Sequence, residues 1–306
     1  MAPRGSTVRV PAGCRRGHGG DGRYDWLGSS RPAKVLALTA RPTTQDSPVE
    51  PTPRNAGGLL IVNADDWGGF RAGTDAIEAC FAMGAISSST AMVHMSDSRR
   101  AADLARERDR PIGLHLNLTQ PFDASDVPAA VRERQIRLCE HFAPLARRRW
   151  LASPRPVVHR LVADGIRDQL EQFRVLYGGE PTHVDSHHHV HVCPDVFLSD
   201  ALASGTRVRQ TASPLPGGRR PAQLPRLCKH ALLARRFLTT DRFWSPSELC
   251  DGRGIPIADA VGWACGQSVE VMVHPSFEEE MPVLSSAAWL KAIATAPLGS
   301  YAQLMA

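Results

Sequence analysis

Two adjacent carboxylates, Asp65 and Asp66, close the short apolar run at residues 59–68, LLIVNADDWG. Adjacent carboxylates repel unless a positive charge lies near them, and a divalent metal is the usual compensation. The plainer alternative is a turn or helix-cap pair after a strand. Far downstream, five histidines fall within nine residues: His183, His187, His188, His189 and His191. That density points to metal, with a polar surface turn as its rival. Five imidazoles cannot all hold one ion. On a strand alternate residues share a face, so His187 and His189 would point together and His188 away. His115 shares the polar face of residues 112–119 with Asn117, opposite Ile112, Leu114, Leu116 and Leu118. A lone strand histidine is more often a hydrogen-bonded core residue. A buried polar pair, however, needs partners, which a metal or a substrate would supply. His274 follows the apolar run at 269–273.

One or two Asp and two His make a three-ligand site with open positions, able to ionise a water and polarise a carbonyl. The remaining Asp would take a proton as general base, and His274 would protonate a leaving amine. This is a design for amide hydrolysis. Paired Asp and His clusters also serve two-metal phosphate chemistry, so a phosphoesterase is the alternative.

The elements that must position these groups alternate. Strands are expected at 59–63, 90–93, 112–119, 182–186 and 269–273. Helices are expected at 74–83, with Thr74 as N-cap, at 98–108, and at 157–177, where Ile166, Leu170, Phe173 and Tyr177 repeat at helical spacing. Alternation over about 250 residues points to a parallel α/β protein; a TIM-like barrel has this length, and a doubly wound sheet is the rival. In both, functional groups collect where strands end, which is where all four clusters fall. Residues 205–254 are rich in Pro, Gly and Arg and read as an insertion or a long active-site loop.

The chain has 306 residues, 42% of them hydrophobic, and a formal charge of +5. That charge resides in residues 1–56, which hold nine basic and four acidic side chains, so the remaining chain is neutral. The segment reads as a disordered basic extension, separate from a domain at 57–306. A basic arm for nucleic acid or anionic lipid is the competing reading; the neutral body argues against both partners. No apolar run reaches 18 residues, so no membrane span is expected. Seven scattered cysteines without a C-x-x-C pair read as free thiols in a reducing, cytoplasmic setting.

The stretches Asn63-Ala-Asp-Asp-Trp-Gly68, Gly113-Leu-His-Leu-Asn-Leu-Thr119 and Thr182-His-Val-Asp-Ser-His-His-His-Val-His191, followed by His274–Pro275, stand in a fixed order. In order and spacing they resemble the YdjC/ChbG-like carbohydrate deacetylases, over roughly residues 58–280. The resemblance implies a deformed (β/α) TIM-like barrel and a hydrolase that removes acetyl groups from N-acetylated sugars. It also implies one divalent metal ion, Mg or Zn, held by Asp66, His115 and His187, with Asp65 as general base and His274 as acid or oxyanion partner. Two imidazoles and a carboxylate suit Zn or another transition metal better on softness. The expected partner is an N-acetylated sugar, with homo-oligomerisation left open. Trp67 replaces the commoner Phe, residues 69–73 depart from the usual loop and would border the substrate, and Ser276 stands where Gly is usual. Within 205–254 only Arg209 and residues 241–243 resemble the family.

Overall fold

The computed structural model describes residues 57–143, 156–211, 213, 220–245 and 257–305. The expected basic extension at 1–56 lies outside them. Six strands among the described residues form one parallel sheet in the order β4-β3-β2-β1-β6-β5: β1 (Leu59–Trp67), β2 (Ser88–Ala91), β3 (Ile112–Leu116), β4 (Val184–Ser186), β5 (Arg242–Trp244) and β6 (Ser268–Val273). Nearly every strand residue is buried, as expected of a parallel sheet covered by its crossover helices. Those helices include α1 (Arg71–Ala82), α2 (Ser98–Glu107), α3 (Ala129–Phe142) and α4 (Pro156–Tyr177).

The sheet curls. Beyond the β4 edge, Val184 bridges Val208, and Arg207 bridges Leu238, four residues before β5. The hydrogen bonds of Val208 N to Leu238 O (2.9 Å) and Arg209 N to Val184 O (3.1 Å) carry the ring on toward β5. This is the deformed (β/α) barrel the resemblance implies, with a weakly paired stretch where one strand would stand.

Strand alternation then sorts the side chains. Leu60, Val62 and Ala64 of β1 join the large apolar core under the helices, as do Leu114 and Leu116 of β3 and Val269, Val271 and Val273 of β6. Leu59 and Ile61 face the other way and pack with Tyr301 and Leu304, which plug the base of the barrel.

Three sequence expectations are corrected. The first helix begins at Arg71, so Thr74 is not its N-cap; its hydroxyl instead accepts from Gly68 N–H (3.2 Å) and bonds Phe70 O. Residues 205–254 are not one loop: they contain the barrel stretch around 207–209, α5 (Arg220–Ala234) and β5. His187–Val192 is not a strand but a 3-10 turn, in which His188 and His189 take positive φ of 60° and 53°. Ser186 ends β4 because its hydroxyl accepts from His191 N–H (2.8 Å) and closes that turn.

Candidate active site

Two residues beyond Ile61 on the inward face of β1 stands Asn63, and two further stands Asp65. The same alternation brings Thr90 from β2, His115 from β3, Asp185 from β4 and Glu270 from β6 into one buried polar cluster. Asp66 would ordinarily point the other way. Its backbone takes φ 71°, and β1 slips register against β2 between Ala64 and Trp67. Such a bulge re-aims a side chain, and Asp tolerates the left-handed region better than most residues. Both neighbouring carboxylates therefore reach the site.

Oδ1 of Asp66 stands 3.3 Å from His115 Nε2 and 3.3 Å from His187 Nδ1. All three donor atoms lie within 4.8 Å of one another. Asp66 Oδ1 and His115 Nε2 are buried without a hydrogen bond among the described residues. Buried polar atoms without partners are costly, and these converge on one point with the N and O donors that divalent ions take at about 2.0–2.2 Å. The residues therefore fit a divalent ion. His115 Nδ1 donates to Asp185 Oδ1 at 2.7 Å, which leaves Nε2 aimed inward, where the ring would offer a lone pair once that nitrogen gives up its proton. His187 Nε2 meets the Gln120 amide at 2.8 Å, so its Nδ1 faces Asp66. Burial works against the charge of Asp66, but the His187 and His115 imidazoles outweigh it and hold its pKa well below the usual carboxylate range. Burial likewise opposes a charged His115, yet Asp185 and Asp65 hold its pKa well above the usual histidine range.

Asp65, His115 and Asp185 also lie within ligand distance of each other, but a cation already serves them. Arg209 is fully buried. Its Nη1 and Nη2 donate to the two oxygens of Asp65 at 2.7 Å each, Nη1 reaches Asp185 Oδ2 at 2.7 Å, and Nε donates to Glu270 Oε1 at 2.7 Å. Asn63 Nδ2 adds a bond to Asp65 Oδ1 at 3.0 Å. Burial raises the pKa of Asp65, but Arg209, then His115 and His274, pull it below the carboxylate range. Glu270 accepts the Tyr301 hydroxyl, and burial pushes its pKa up to about 7 against the pull of Arg209.

His274 comes from the end of β6. Its Nε2 lies 3.9 Å from Asp65 Oδ2 and its Nδ1 3.7 Å from Glu280 Oε1. Burial opposes its charge, but Glu280 and Asp65 prevail and hold its pKa up at about 9. His274 is thus a charged donor near neutral pH.

The five sites expected from the sequence, Asp65, Asp66, His115, His187 and His274, are brought together. The expected pairing of His187 with His189 is not. The 3-10 turn carries His189 away to Phe243 (ring centroids 5.8 Å) and leaves the ring of His188 4.0 Å from that of His187. His183 stacks on Tyr301 at 3.8 Å. His191 accepts from Ser186 Oγ at 2.8 Å and donates Nε2–H to Arg209 O at 3.0 Å. Burial and then Arg209 push its pKa down to about 3, so it stays neutral and pins the Arg209 backbone. Asn117 also departs from expectation: its side-chain oxygen accepts from Thr119 and Gln120 N–H (3.2 and 2.9 Å), and its backbone is held by Gln135 and Gln169. It shapes a loop and needs neither metal nor substrate. The sequence reading gave no role to Asp185, Arg209, Glu270 or Tyr301. Glu270 carried a signal, as the lone charge within an apolar strand, SVEVMV.

The family model described as YdjC-like protein matches residues 59–297. Chitooligosaccharide deacetylase of Serratia marcescens is 32% identical over 231 residues, 72% of this chain and 82% of that protein. Chitooligosaccharide deacetylase of Enterobacter sp. (strain 638) is 30% identical over 241 residues, 76% and 86% respectively. Among solved structures, a protein of Enterococcus faecalis V583, provisionally described as a cellobiose-phosphate cleavage protein, superposes with a TM-score of 0.58 at 20% identity. That match covers 82% of this chain and 100% of the other, and it bears on the fold alone.

Proposed function

The chain belongs to the YdjC-like protein family, and on that premise we propose that it is a metal-dependent carbohydrate N-deacetylase. Its substrate class is an N-acetylated amino sugar or oligosaccharide, as in the names of its relatives, and its catalytic domain is residues 57–306. The observation that carries this reading is the convergence of Asp66, His115 and His187 beside a carboxylate, Asp65, that faces a charged histidine, His274.

Asp66, His115 and His187 would hold one divalent ion, Mg or Zn. A bound ion supplies Lewis acidity toward the amide carbonyl and makes water ionisable near neutral pH. Asp65 takes the proton of the attacking water as general base. Arg209 fixes both oxygens of that carboxylate and so sets the direction of its remaining lone pairs. His274 delivers its proton to the departing sugar nitrogen, and Glu280 holds the imidazole for that task. Asp185 keeps His115 in the tautomer that presents Nε2.

A two-metal phosphoesterase is disfavoured by Arg209, whose guanidinium already bridges the second cluster, Asp65 and Asp185. Two-metal sites hold their ions about 3.5–4 Å apart, and that place is filled. The unpatterned cysteines suit the cytoplasm, and no helix among the described residues is long and apolar enough to cross a membrane.

The test is acetate release from N-acetylated sugars, before and after chelation, with Mg, Zn, Mn and Co added back. Chelation abolishes release and one ion per chain restores it. His115→Ala and His187→Ala remove it; if both variants bind metal and turn over normally, the assignment is wrong.

A further inference from the structure

Two aromatic side chains beside the site take no part in the chemistry above. Phe70 is 47% exposed and Phe277 45%. Phe70 follows β1 four residues after Asp66, and Phe277 lies three residues after His274. β1 and β6 are paired strands with Ala64 opposite Val273, so the two loops leave the sheet from neighbouring strand ends, the second of them carrying His274, which lies 3.9 Å from Asp65. Phe277 lies parallel to the His274 ring, centroids 4.7 Å apart and planes at 14°. One of its faces is therefore turned to the imidazole, while the residue as a whole stays half-exposed. Phe70 rests tip-first on Gly73, where a Cβ would lie 2.9 Å from its Cζ. Gly73 sits inside α1, where alanine would favour the helix; the missing side chain is what seats the ring.

We propose that Phe70 and Phe277 form an aromatic rim that binds the apolar C–H faces of pyranose rings next to the sugar being deacetylated. The proposal rests on the deacetylase reading and adds the residues that engage an oligosaccharide. Exposed aromatic faces bury large apolar area at small entropic cost, and a pyranose with equatorial hydroxyls offers a matching apolar face. A ring on the outer side of Phe277 lies two ring spacings from His274. It is therefore the neighbouring sugar, not the one whose amide reaches Asp65 and His274.

The full chain is titrated calorimetrically with N-acetylglucosamine and with triacetylchitotriose, and acetate release is followed in parallel. Phe70→Leu and Phe277→Leu keep apolar bulk, and Gly73→Ala favours its helix, so each variant tests the rim with the fold intact, as circular dichroism verifies. The Kd for the trisaccharide rises about tenfold in both Phe variants and rises in Gly73→Ala as Phe70 is displaced; Phe277→Trp restores it. The Kd for the monosaccharide moves less than about twofold. An unchanged trisaccharide Kd, parallel rises for both sugars, or no binding by the unaltered chain overturns the rim. Binding without acetate release overturns the deacetylase reading and leaves the rim standing. Release with no change in Kd does the reverse.

Discussion

Asp65 and Asp66 are chain neighbours with different surroundings, and the surroundings divide their work. Asp65 is gripped by Arg209 through both oxygens, whereas Oδ1 of Asp66 faces two imidazole nitrogens. Asp66→Asn removes a charged donor from the trio, so metal content falls with activity. Asp65→Asn leaves the trio intact, so metal content stays at one ion per chain while turnover drops by about 10²–10⁴. Elemental analysis beside a rate assay separates the two, and loss of metal from Asp65→Asn would overturn the division. The pair was legible in the sequence as a pair, because adjacent carboxylates after an apolar run need an explanation. Their separate aims were not, because a register slip and a positive φ at Asp66 turn one of them.

At the scale of elements, the site depends on how closely strands approach. Gly113 on β3 lies against His183, where a Cβ would sit 2.4 Å from Nδ1 and 2.8 Å from the carbonyl oxygen. Gly113→Ala therefore pushes β3 from the segment leading into β4 and disturbs the His183–Tyr301 stack. The expected cost is about 1–3 kcal/mol, read as a lower urea midpoint with unchanged slope; an unaltered midpoint would show that the two segments yield freely. Strands β1 and β6 were readable as apolar runs and β3 by its alternation of apolar and polar residues. Residues 205–254 were not. Their barrel stretch pairs through single bridges and turns Arg209 inward, a pattern that looks like a polar loop until the carboxylates around it are known. The histidine run misled for a related reason. Its spacing suits a strand, but the Ser186 hydroxyl bonds His191 and winds the segment into a turn, which selects His187 and removes His189.

Across the molecule, the barrel interior concentrates negative charge. Asp65, Asp185 and Glu270 gather around one arginine, Asp66 stands beside them against His115 and His187, and Tyr301 from the base of the barrel caps Glu270. That excess raises the pKa of His115, so without metal the imidazole is protonated near neutral pH. A metal must displace that proton, since only the neutral ring ligates. Zinc titration at pH 7 in buffers of different ionisation enthalpy will therefore show release of about one proton per ion, and affinity will weaken as pH falls. Proton-independent binding would place the ion elsewhere. The sequence by itself determined the parallel α/β class, the strand ends where polar clusters fall, and the five residues, Asp65, Asp66, His115, His187 and His274, that the fold brings together. Those follow from local pattern and from motifs in fixed order. Only the tertiary structure decided which imidazoles meet, how Asp66 is aimed, and that Arg209, Glu270 and Tyr301 belong to the site. Their roles arise from charges brought within 3 Å across more than 60 positions of chain, and pairing at that separation leaves no periodic trace.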